Sequence, residues 1–145
     1  MKSEHFLREL LLTLEQTKDE SFSGIGLIIY TDFDILPVAP LIDKVPSDYH
    51  LPVSGLQNIA TFLIRISSFA SDYHDGFHLI SATELKLTHI CQYFSPPISK
   101  NLNTEYFVGG RYRAAQYGSM VNGVELTGVI GSKYGPTVFY KGHKA

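Results

Sequence analysis

Two short stretches carry side chains that can do chemistry. The first is DYHDGFHLIS, residues 72–81, where His74, Asp75 and His78 surround Gly76 before the chain turns apolar. A carboxylate held at a strand start by a glycine turn can bind a divalent cation or take a proton from a sugar hydroxyl. The same residues also make an ordinary turn leading into a strand, because Asp and Gly are preferred turn residues. A helical metal-binding His-Asp pair of the HD phosphohydrolase kind is disfavoured, since Gly76 interrupts a helix. His78, two residues on, reads as a strand residue.

The second stretch is GGRYRAAQYG, residues 109–118. Gly109 and Gly110 let backbone approach a ligand closely. Arg111 and Arg113 then fall in the first turn of a helix, where free N–H groups and the dipole already favour anions. Two cations there oppose the dipole, and a bound polyanion would remove the conflict through bidentate arginine contacts. The alternative is a solvated surface helix with salt bridges. No GK[ST] follows the glycines, no GxGxxG follows a strand and no GxSxG elbow occurs.

Elements must position these stretches. Phe6, Leu7, Leu10, Leu11 and Leu14 recur at helical spacing, with Ser3 as the expected cap. GIGLIIY, residues 24–30, reads as a buried strand. Residues 31–52 hold four prolines and read as an irregular crossover. Ser54 is the expected cap of a second helix, whose apolar face is Leu56, Ile59, Leu63 and Ile66. Residues 76–82 and 85–94 read as two strands joined at Thr83 and Glu84. After a long loop, a helix is expected over 111–121, then strands over 124–132 and 137–142. This order predicts one α/β (α+β) domain over residues 1–145, a mixed central β-sheet flanked by helices.

Composition narrows the function classes. The net charge of −2, with no basic run, argues against nucleic acid as a partner. Cys91, the one cysteine, excludes an internal disulfide and a Cys-built zinc site, and its strand-like setting predicts a buried inert thiol. No apolar run approaches the ~18 residues of a membrane span, and the first residues do not read as a signal peptide, so a cytoplasmic location is expected.

In this order, HDGF (74–77), ISKNL (98–102), GGRYRAA (109–115) and GSKYG (131–135) resemble the diadenylate cyclase (DAC) domain, which makes cyclic di-AMP from two ATP molecules. The family pattern is DGA, ISK-x-L, GTRHRAA and a strand ending in SEE-x-G. The resemblance covers residues 74–142 and implies a DAC-like fold. It implies that Asp75 supports Mn²⁺ or Mg²⁺ and the attacking hydroxyl in an active enzyme. It places Gly76 and Phe77 beside the nucleotide, gives Arg111 and Arg113 its triphosphate, and counts Gly110, Tyr112, Ser132 and Lys133 among the nucleotide-binding residues. It also implies a homo-oligomer, because two domains must face each other, each presenting one ATP.

The departures bear on activity. Phe77 stands for the Ala of DGA, Gly110 for the Thr before the arginines and Tyr112 for the His between them. Ser132 and Lys133 replace both acids of SEE, and the loop NTEYFV is extra. Losing two negative charges and gaining one positive repels a cation and attracts an anion. The expected function is a sensor that binds an adenine nucleotide or cyclic dinucleotide with synthesis lost. The alternatives are an active diadenylate cyclase and a non-nucleotide interaction module.

Overall fold

The computed structural model describes all 145 residues. Helix α1 (Lys2–Thr17) buries Leu7, Leu10, Leu11 and Leu14 completely, as their spacing requires. Its cap differs from expectation. Ser3 lies inside the helix and is buried, and Met1 is the cap, without a side-chain hydrogen bond. Strand β1 (Ile25–Tyr30) follows as expected. The proline-rich crossover carries a 3-10 turn (Phe33–Ile35) and two short strands, β2 (Val38–Pro40) and β3 (Val53–Ser54). Ser54 therefore belongs to a strand. The cap of helix α2 (Leu56–Ile66) is Gly55, whose φ of 90° suits the sharp change of direction there.

Strands β4 (Phe77–Ser81) and β5 (Lys86–Phe94) pair antiparallel. Helix α3 (Gly110–Gly118) is shorter than its pattern suggested, and its chain turns at Ser119 into β6 (Val124–Gly131). Strand β7 (Tyr134–Tyr140) begins within KYGP, and a two-residue β8 (His143–Lys144) closes the chain.

The eight strands form one sheet in the order β2-β5-β4-β1-β6-β7-β8, with β3 also on β5. β1 runs parallel to β4 and antiparallel to β6, so the sheet is mixed. Alternation along β1 divides the core into two layers. Leu27 and Ile29 join α1 and α2, while Ile28 joins Leu79, Ala115, Val129 and Phe139 on the side of α3. The paired parallel starts of β1 and β4 lie beside the N-terminus of α3, and the two sequence motifs meet there.

Candidate anion-binding site

The HDG turn forms as read. Gly76 has φ 78°, and a Cβ there would sit 2.6 Å from the Gln92 carbonyl oxygen. The Asp75 side chain is 74% exposed, with His74 Nδ1 at 3.6 Å. Phe77 faces inward. It is buried, meets Phe94 edge to face with 5.1 Å between ring centroids, and lies 2.7 Å from where a Gly26 Cβ would be. Phe77 therefore fills the core instead of lining an open pocket.

His78 is fully buried, and its Nδ1 accepts the Cys91 N–H at 3.1 Å. Nε2 then carries the proton and has no partner. Burial, reinforced by the Arg111 charge, pushes the His78 pKa down to about 3. Burial, with the Asp75 charge, pushes the Cys91 thiol up to about 12, which is the inert state expected of it.

Helix α3 starts without a side-chain cap: Gly109 occupies the cap position with φ 88°. Arg111 reaches back to the segments that lead into β1 and β4. Nη1 donates to the Ser23 carbonyl at 3.4 Å and Nη2 to the His74 carbonyl at 3.2 Å. Ser23 leads into β1 and His74 into β4, so one guanidinium staples two strand starts. Burial lowers its pKa, while Tyr134 and Asp75 act the other way.

Arg113 points elsewhere. Its Nε and Nη2 donate to the Glu105 carbonyl at 3.2 and 3.0 Å, and it covers the Tyr106 ring at 5.4 Å. Two helix positions turn through about 200°, so Arg111 and Arg113 take opposite faces and do not form one grip. Tyr112 lies between them on the inner face. It is buried, with Tyr134 and Phe139 at ring distances of 4.9 and 5.0 Å, and so belongs to the core.

A cleft of ≈ 240 Å³ opens at this end of α3, lined by Ser23, Val108, Gly109, Gly110, Arg111, Gly131, Ser132, Lys133 and Tyr134. Of the residues singled out in the sequence, Gly110, Arg111, Ser132 and Lys133 come together here. Asp75, Gly76, Phe77, Tyr112 and Arg113 are not in its wall. Ser23 and Tyr134 were not anticipated. Ser23 comes from 88 residues before Arg111, and no local pattern announces it. Burial raises the Tyr134 phenol pKa, against the pull of Arg111.

The wall holds two cations, two serine side chains, the Tyr134 phenol and an uncapped helix start, and no carboxylate. That set attracts an anion and offers it N–H donors. It offers no protein cage for a resident divalent cation, since no group of three His, Cys, Asp or Glu side chains is placed to hold a metal ion. Asp75 is a lone carboxylate beside the Arg111 charge, so a Mg²⁺ held there would take its other oxygen ligands from substrate phosphates and water.

Compared by sequence, the chain matches no family model and no curated protein. Compared by structure, it is similar to the hypothetical membrane spanning protein from Bacillus cereus, with TM-score 0.65 and 17% identity. That match covers 99% of this chain and 62% of the Bacillus protein, so the chain spans less than two thirds of that neighbour. It is also similar to a double mutant of DacA from Staphylococcus aureus, with TM-score 0.63 and 16% identity, covering 99% of this chain and 87% of that one. The mixed sheet flanked by three helices matches the DAC-like fold of that neighbour. No helix of this chain is long and apolar enough to cross a membrane. At these identities, what the chain has in common with its neighbours is the DAC-like fold.

Proposed function

We propose that this chain is a divergent DAC-like domain that holds an adenine nucleotide or cyclic dinucleotide by its phosphates and has lost synthesis. The observation that carries the reading is the meeting of Gly110, Arg111, Ser132 and Lys133 at an uncapped helix start. Backbone N–H groups, a hydroxyl and two cations there suit a phosphate. The sequence resemblance to the DAC domain, supported by the DacA-like fold, suggests the nucleotide class. Two features favour binding without turnover. Lys133 stands where the family pattern has an acid, and Asp75 lies outside the wall of the cleft.

The test is calorimetric titration with ATP and with cyclic di-AMP, with and without Mn²⁺, followed by mass spectrometry of the mixtures. Saturable binding of one of them with ATP left intact is the expected result. Cyclic di-AMP that forms with wild type and disappears with Asp75→Asn would instead identify an active cyclase. No binding of either would leave the interaction module. Sedimentation of the same mixtures reports whether two copies face each other, as synthesis would require.

A further inference from the structure

We infer that the nucleoside half of the ligand lies outside the sheet, on the exposed ring of Phe69; this rests on the phosphate-binding reading above. The cleft of ≈ 240 Å³ is smaller than the roughly 300–1,000 Å³ usual for small-molecule pockets, so it has room for phosphates and not for a whole nucleotide. The interior beside Gly76 is closed to a base, because Phe77 and Phe94 occupy it.

A second cavity of ≈ 300 Å³ adjoins the cleft and shares Ser23, Gly131 and Ser132 with it. Its wall includes Phe69, Asp19 and Glu20. Phe69 is 68% exposed, and one side of its ring meets the His74 ring at 6.0 Å between centroids, leaving most of it open. Its backbone N–H donates to the Ser21 carbonyl at 2.9 Å, which holds the residue beside the Asp19–Ser23 turn. Asp19 Oδ1 accepts the Ser21 N–H at 2.8 Å and the Ser21 hydroxyl at 2.6 Å, leaving Oδ2 without a protein partner.

The two chambers have complementary chemistry. Phosphates meet cations and helix N–H groups in the first. In the second, a planar base can stack on an aromatic face, and ribose hydroxyls can donate to carboxylates. The shared wall at Ser23, Gly131 and Ser132 is where a nucleotide would pass from one to the other.

The experiment compares ATP with inorganic tripolyphosphate, both without divalent cations, on wild type, Phe69→Ala, Phe69→Trp, Phe107→Ala and Lys133→Ala. Wild type should bind ATP about tenfold more tightly than tripolyphosphate, the gain expected of one stacked base. Phe69→Ala should bring ATP down to the tripolyphosphate value and leave tripolyphosphate unchanged, and Phe69→Trp should keep the gain. The side chain is mostly exposed, so folding should survive both changes. Lys133→Ala should weaken both ligands. ATP binding no tighter than tripolyphosphate, or an ATP advantage that survives Phe69→Ala, overturns the inference and leaves the anion site standing. So does an advantage lost in Phe107→Ala, the exposed aromatic of the loop before α3. If tripolyphosphate and ATP both fail to bind wild type, the phosphate-binding reading falls and this inference falls with it.

Discussion

His78 is held neutral inside the sheet, accepting one N–H through Nδ1 while Arg111 stands near. Its folded pKa of about 3 lies below the unfolded value of 6.5, so below pH 6.5 the unfolded chain binds a proton that the folded chain refuses. The stability contributed by the neutral ring is complete above pH 6.5 and is lost as the pH falls toward 3. The slope is about 1.4 kcal/mol per pH unit, or about 2 kcal/mol by pH 5. Urea unfolding at pH 7 and pH 5 should show this loss in wild type and a smaller one in His78→Asn. Gly76→Ala should destabilise at any pH. The left-handed backbone alone accounts for about 1–2 kcal/mol, and the new Cβ also meets the Gln92 carbonyl. At this scale the sequence was informative about residue type and poor about direction. Asp75 and Gly76 announced their turn. Phe77, Tyr112 and Arg113 lie outside the wall of the cleft, because a motif string does not carry the helical rotation or the depth of a side chain.

Helix α3 and the starts of β1 and β4 are joined through Arg111. Lysine cannot reproduce a two-pronged donor. Arg111→Lys should destabilise by about 1–3 kcal/mol and speed hydrogen exchange at the first residues of β1 and β4. Gly110 gives the opposite separation. A Cβ there meets nothing within 4 Å, so Gly110→Ala should stabilise α3 by up to about 1 kcal/mol. It should also weaken anion binding, because the added methyl stands where a ligand would approach the backbone. Thermal melts and titrations on the same variant separate the two effects. Elements with strong periodicity, such as α1 and the β4–β5 hairpin, were legible in the sequence. Caps and short edge strands were not. Gly55 displaced Ser54 through its backbone conformation, and β2 and β3 exist because β5 offers them an edge.

The whole molecule is one sheet with a hydrophobic layer on each side, and both layers depend on the same strands. Leu11→Ala on one side and Phe139→Ala on the other should each destabilise by about 2–5 kcal/mol. Each should shift a single shared unfolding transition by circular dichroism and fluorescence, without dividing it in two. The mixed sheet was readable from the order of elements. The cleft was not, because it joins Ser23 to residues 108–111 and 131–134, and only the folded sheet brings those segments together. The ring of Phe77 over Gly26 has one more consequence. It works as a stopper, and Phe77→Ala would pull it, leaving a dry hollow the size of a benzene ring beside Phe94. Such a variant would take its missing piece from solution: added benzene would raise its melting temperature and leave wild type unmoved, giving the domain a stability that an outside chemist could dial.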